Sequence, residues 1–100
     1  MIDEVRRNLP KLLQTLEAQC SEIGFTMPSD RKAGALIRTL VASKPGGRFL
    51  ELGTGVGLSL VWMLDGLDHA SRIVSIDNDP ELVAVVQSII RDQRLTILCE

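Results

Sequence analysis

The sequence has few of the residues on which many classes of site depend. It contains two cysteines, one histidine and no dense cationic run, and its 11 basic and 13 acidic residues give a formal charge of −2. No apolar stretch approaches the roughly twenty residues that cross a bilayer, and the N-terminus MIDEVRRNLP lacks a signal-peptide core. We therefore expect a cytoplasmic protein that binds a small molecule, with no nucleic-acid partner, no membrane span and no metal site.

The cysteines and the histidine are interpreted as residues without a chemical role. Cys20 and Cys99 fall in a predicted helix and a predicted strand, so both are expected to be reduced and partly buried. His69 lies in a polar connection with no predicted partner to position it, and we expect a solvated loop residue there. The sequence nominates no catalytic residue.

Length and periodicity predict one domain in two parts. One hundred residues, 45% of them hydrophobic, can bury a core of their own. Residues 1–44 are predicted to be a helical lead-in, with one helix from about Leu9 to Gln19 and a second after an N-cap at Ser29. The stripe expected to face the core comprises Leu9, Leu12, Leu13 and Leu16 in the first helix and Ala33, Leu36, Ile37, Leu40 and Val41 in the second.

Residues 45–100 show a different pattern, in which strands alternate with helices as a βαβαβ unit. The predicted strands cover residues 48–52, 72–76 and 95–99, and each intervening helix has about a dozen residues. Such alternation indicates right-handed crossovers. The expected fold class is α/β, a Rossmann-like doubly wound parallel sheet with helices on both faces.

The strongest functional signal is the segment 48–57, RFLELGTGVG, where a short apolar strand runs into glycines at 53, 55 and 57. The helical pattern that begins at Leu58 places these glycines between a strand and a helix. Without side chains, the backbone can approach a ligand and adopt positive φ angles, while the helix presents unpaired N–H groups. The segment therefore predicts a nucleotide-type binding turn.

Two acidic residues narrow the kind of nucleotide. Asp77 ends the strand RIVSID just before Asp79 and Pro80, which begin the next helix, and an acid at that strand end can accept ribose hydroxyls. Dinucleotide-binding turns have a third glycine where this chain has Leu58. Glu51, directly before the turn, would repel a pyrophosphate and attract an ammonium or sulfonium group.

The segments ELGTGVG (51–57) and SIDNDPE (75–81) resemble the first two motifs of class I S-adenosylmethionine-dependent methyltransferases. The segment 28–34, PSDRKAG, is similar to the small-molecule O-methyltransferase branch of the catechol and caffeoyl-coenzyme A type. The resemblance implies that Glu51 holds the cofactor's amino group, that Gly53 and Gly55 meet its methionine part, that Asp77 binds its ribose and that Asn78 lies near its adenine. The complete predicted cofactor-binding set is Glu51, Gly53, Thr54, Gly55, Gly57, Ser59, Asp77 and Asn78.

The resembling enzymes are longer and have a wider sheet, so these 100 residues are expected to be the N-terminal, cofactor-binding part without the catalytic half. Their fourth strand would pair beside residues 49–52, whose edge is otherwise unpaired. Two alternatives stay open: a fragment of an NAD-dependent dehydrogenase, and a non-catalytic nucleoside-binding or assembly module. The expected partner is a small-molecule methyl acceptor, a homodimer is left open, and any divalent metal of the full-length family has no ligands in these residues.

Overall fold

The computed structural model describes residues 10–22 and 31–100, excluding the side chains of residues 19–22. Within these residues the helices are α1 (Leu13–Glu22), α2 (Arg31–Ala42), α3 (Leu58–Gly66) and α4 (Pro80–Ile89). The strands are β1 (Arg48–Leu52), β2 (Arg72–Asp77) and β3 (Leu95–Cys99). The predicted alternation of strands and helices after residue 45 is confirmed.

The three strands form one parallel sheet in the order β1-β2-β3. The register pairs Glu51 with Ser75, and Asp77 with Cys99. Because the strands are parallel, the glycine turn after β1 and the acid that ends β2 lie at the same edge of the sheet. The prediction of an α/β fold with a parallel sheet is confirmed.

The expectation of helices on both faces is wrong for the described residues. The core joins the helices to one face of the sheet, where Ile73 belongs to the same buried cluster as Trp62 and Val86. On the opposite face, Leu50 and Leu52 are 62% and 75% exposed. Right-handed crossovers that connect neighbouring strands in the same direction, from β1 to β2 and from β2 to β3, place both connecting helices on the same side.

The buried face of α2 also differs from the predicted stripe. Gly34 and Val41 are buried and Ile37 packs against the core, whereas Leu36 and Leu40 are 60% and 59% exposed. Ala33 is exposed as well. The physical reason is the contact of α2 with α3: a Cβ at residue 34 would overlap the Trp62 indole, so the missing side chain lets the two helices approach there.

Helix α1 begins at Leu13, four residues later than predicted. Residues 10–13 form a turn in which the Leu13 amide donates to the Pro10 carbonyl at 3.1 Å. Leu13 and Leu16 are buried as expected, but Leu12 in that turn is 36% exposed. Leu9, Ser29 and the Cys20 side chain lie outside the described residues.

Of the remaining predictions for single residues, one is confirmed and one is wrong. His69 is exposed in its loop, as expected, and Trp62 packs in the core. The expectation that Cys99 is partly buried is wrong. Cys99 is a free and exposed thiol, because it is the last residue of β3, an edge strand of the described sheet. Among the described residues, every helix is too short or too polar to cross a membrane.

Candidate functional site

The turn between β1 and α3 has glycine at each position where the backbone is left-handed. Gly53, Gly55 and Gly57 have φ angles of +88°, +57° and +89°, which L side chains rarely adopt. A Cβ on Gly53 or Gly55 would meet nothing within 4 Å, so the outer side of the turn is open. A Cβ on Gly57 would lie 3.1 Å from Ile90 and 3.4 Å from Val86. The first two glycines thus face open space, and the third allows α3 to pack closely on the end of α4.

Asp77 connects the glycine turn after β1 with the start of α4. Its Oδ2 accepts a hydrogen bond from the Gly55 amide at 2.9 Å, and its Oδ1 accepts one from the Asp79 amide, also at 2.9 Å. The bond from Gly55, followed by that from Asp79, holds the pKa of Asp77 below its usual range. The carboxylate is therefore ionised at neutral pH. Since two carboxylate oxygens offer about four acceptor positions, the side chain can still accept hydroxyl groups from a ligand.

Glu51 lies on the helix-covered face of the sheet and ends a chain of hydroxyl groups. The Ser75 hydroxyl donates to Glu51 Oε1 at 2.7 Å, and the Thr54 hydroxyl lies 2.6 Å from that of Ser75. Burial is the largest cause of a raised Glu51 pKa; the bond from Ser75 opposes it, and the negative charge of Asp77 adds to it. A cation placed beside Glu51 would offset both effects that raise the pKa.

The other predicted site residues lie at the same edge of the sheet in different surroundings. Thr54 is buried, with its hydroxyl directed to Ser75, so its side chain does not face the open side of the turn. Ser59 is half-buried in the first turn of α3, and Asn78 is exposed directly after Asp77. For these residues, as for the whole set, contact with a cofactor stays a prediction.

Ser75 is a member of this cluster that sequence reasoning did not select. It is fully buried on β2, on the same face as Ile73 and opposite Glu51 in the register. The available signal was a hydroxyl residue at an inward position of an otherwise apolar strand. Its partner depends on strand register, which periodicity alone does not specify.

The arrangement fits S-adenosylmethionine better than a dinucleotide. The open side of the turn leaves room for a ligand against Gly53 and Gly55, and Asp77 has acceptor capacity for ribose hydroxyls. Glu51 and Asp77 place two carboxylates beside the turn, which would repel a pyrophosphate and attract an ammonium group. Among the side chains that the structure describes, those of residues 10–18 and 31–100, no three His, Cys, Asp or Glu residues are grouped to hold a metal ion.

Comparison with known proteins agrees with this chemistry. Residues 11–98 match the model of the protein-L-isoaspartate(D-aspartate) O-methyltransferase family. The chain belongs to this methyltransferase family. The predicted membership of the class I S-adenosylmethionine-dependent O-methyltransferases is thereby confirmed.

The curated relatives show how much of a longer protein the chain spans. A Mycobacterium leprae (strain TN) protein, provisionally named an O-methyltransferase, is 33% identical over 76 residues, which are 76% of this chain and 34% of that protein. The chain therefore spans about a third of the length of the curated relatives it matches.

Two solved structures share the fold at low sequence identity. The O-methyltransferase TomG of Streptomyces achromogenes, involved in tomaymycin synthesis and solved with S-adenosylmethionine, has a TM-score of 0.81 at 18% identity. The match covers 92% of this chain and 44% of TomG. A Staphylococcus aureus protein, provisionally assigned as a caffeoyl-CoA O-methyltransferase, has a TM-score of 0.76 at 17% identity, and the match covers 99% and 48% of the two chains.

Proposed function

We propose that this chain forms the S-adenosylmethionine-binding part of an O-methyltransferase that acts on a small molecule. The observation that carries the proposal is the pair of carboxylates, Glu51 and Asp77, beside an open glycine turn. Family membership and the fold shared with methyltransferases support it. The cytoplasmic location, the lack of a nucleic-acid partner and the homodimer stay predictions.

Each predicted site residue has a proposed role in holding the cofactor. Glu51 binds its ammonium group, the backbone at Gly53 and Gly55 lies against its methionine part, and Asp77 accepts its ribose hydroxyls. Asn78 lies beside the adenine. Thr54 supports the turn from its buried side. Gly57 and Ser59 place the start of α3, with its unpaired N–H groups, near the cofactor's carboxylate.

S-adenosylmethionine, when bound, supplies an activated methyl group on a sulfonium centre for in-line transfer to a nucleophilic oxygen. The residues of this chain bind and orient that donor, and orientation is a large share of the catalysis available to such a transfer. Glu51 and Asp77 anchor two separate parts of the ligand, so the direction of the sulfonium group between them is restricted. None of the described residues is assigned to the acceptor or to proton transfer.

Thermal unfolding of the chain with S-adenosylmethionine, S-adenosylhomocysteine, NAD or no ligand tests the proposal. A ligand at 100 times its dissociation constant adds about 2.7 kcal/mol of stability, which raises the Tm of a domain of this size by about 10–20 °C. We expect that shift with S-adenosylmethionine and with S-adenosylhomocysteine, and not with NAD. A shift with NAD alone would support a dehydrogenase fragment, and no shift with any ligand would refute the proposal in favour of an assembly module.

A pair of charge-removing variants makes the test specific to the site. Glu51→Gln should weaken S-adenosylhomocysteine binding by about tenfold, since a hydrogen bond to a charged group is lost. Glu81→Gln, in the exposed first turn of α4, removes the same charge away from the glycine turn and should leave the affinity unchanged. Equal effects of both variants would mean that only the overall charge matters.

A further inference from the structure

We propose that Ser75 and Thr54 are positioning residues for cofactor binding, which act by holding the Glu51 carboxylate in the orientation that receives the ammonium group. This inference rests on the proposed function. The two hydroxyls lie 2.6 Å apart, and that of Ser75 lies 2.7 Å from Glu51 Oε1. Ser75 is 0% and Thr54 4% exposed, so water cannot replace either hydroxyl without rearrangement.

The direction of the chain of hydrogen bonds follows from counting hydrogens. An ionised carboxylate only accepts, so the single hydrogen of the Ser75 hydroxyl goes to Glu51. Ser75 must then receive the hydrogen of Thr54. The order Thr54 to Ser75 to Glu51 polarises each hydroxyl toward the carboxylate and strengthens the last bond.

The three residues come from three different parts of the site. Glu51 is on β1, Ser75 is its register partner on β2, and Thr54 is in the glycine turn between β1 and α3. The hydrogen bonds therefore fix the carboxylate relative to both the sheet and the turn. Asp77, two residues beyond Ser75 on the same strand face, is the charged group that acts on Glu51, and its charge disfavours a second anion nearby.

A purely structural role would be to satisfy buried hydroxyls without affecting the ligand. Ser71 provides the comparison: it is 1% exposed, and its hydroxyl donates to Asp68 at 2.8 Å, at the opposite end of β2. Ser71→Ala removes a buried serine bonded to a carboxylate, as Ser75→Ala does, but does so away from the turn. Loss of stability alone would affect both variants in the same way.

The test is calorimetric titration of the 100-residue chain and its variants with two probes. S-adenosylhomocysteine carries the ammonium group, and 5′-methylthioadenosine has the nucleoside without the amino acid. We expect Ser75→Ala to weaken the first probe by about tenfold and to leave the second unchanged. Thr54→Val should weaken the first probe by a smaller factor, Thr54→Ser should restore it, and Ser71→Ala should affect neither probe.

Three results would overturn the proposal. The first is an equal loss of affinity for both probes in Ser75→Ala, and the second is no loss of affinity for either probe. The third is the same tenfold loss when Ser75→Ala is made on a Glu51→Gln background, where no carboxylate remains to be positioned.

A ligand-free measurement separates this inference from the proposed function. NMR titration of the Glu51 carboxyl should show a higher pKa in Ser75→Ala than in the wild type, because a bond that favours the ionised form is removed. An unchanged pKa refutes the positioning role even if the cofactor binds. Failure of the wild type to bind S-adenosylhomocysteine refutes the proposed function, and the titration still decides whether the hydroxyls control Glu51.

Discussion

Replacing Asp77 by asparagine should destabilise the fold, whereas the same change at Asp79 should not. The reason lies in which oxygens are used. Asp77 accepts the Gly55 amide on Oδ2 and the Asp79 amide on Oδ1, so both oxygens are needed. Asp79 accepts the Glu81 and Leu82 amides on Oδ1 alone. An asparagine has one acceptor oxygen, which suffices for the N-cap but not for the bridge between the motifs.

The expected loss can be worked from that single broken bond. A hydrogen bond to a charged group contributes about 1.5–3 kcal/mol, and partial exposure of Asp77 lets water replace some of it. We expect Asp77→Asn to lower the free energy of unfolding by about 1–2 kcal/mol and the Tm by about 5–15 °C at neutral pH. Asp79→Asn should stay within about 0.5 kcal/mol of the wild type.

Thermal unfolding followed by circular dichroism measures both variants, and the pH dependence supplies a second check. The folded pKa of Asp77 is depressed, so its contribution is present above the ordinary aspartate pKa and is lost as the pH falls through the depressed value. Asp77→Asn should therefore remove part of the acid-induced loss of stability. Equal Tm values for the two variants would refute the reasoning.

Three further outcomes are expected. Gly34→Ala should lower stability by about 1–2 kcal/mol in urea unfolding, because overlap with the buried Trp62 indole outweighs a helix-propensity gain of about 1 kcal/mol; a more stable variant would contradict this. S-adenosylhomocysteine affinity, measured by calorimetry, should rise with pH through the raised Glu51 pKa, as the carboxyl ionises beside Asp77. If the affinity of Glu51→Gln depends on pH in the same way, another group is responsible for the pH dependence. Leu52→Lys, on the exposed face of the sheet, should reduce self-association in sedimentation velocity without lowering the Tm. A strictly monomeric wild type would refute the expectation that this apolar face causes self-association.

Local signals were enough to predict the elements that position the site. Apolar periodicity and glycine or proline punctuation place β1, the glycine turn and α3 directly, and Asp79 with Pro80 fixes the start of α4. These features depend on residues within a few positions of one another. For that reason the edge of the sheet that holds both Glu51 and Asp77 could be inferred from the sequence alone.

Apart from the later start of α1, the mistaken expectations concern which surface an element turns toward its neighbours. Periodicity marks Leu36 and Leu40 as an apolar stripe of α2, but the contact with Trp62 selects the Gly34 face instead. The bare face of the sheet follows from strand order together with crossover handedness, and strand order is not a local property of the sequence. The role of Ser75 likewise needs the register of β1 with β2.

The two carboxylates of the site are held in opposite ways, and this suits two different ligand groups. Asp77 is fixed by backbone amides that keep it ionised, so it is ready to accept neutral hydroxyls at any ordinary pH. Glu51 is partly buried, and burial opposes its charge while the Ser75 hydroxyl supports it. A cationic group is the ligand that removes this cost of ionisation, because it stabilises the carboxylate directly. The site can thus bind the hydroxyl groups of a neutral sugar and an ammonium group with two carboxylates. The donors that surround each carboxylate decide which of the two groups it binds.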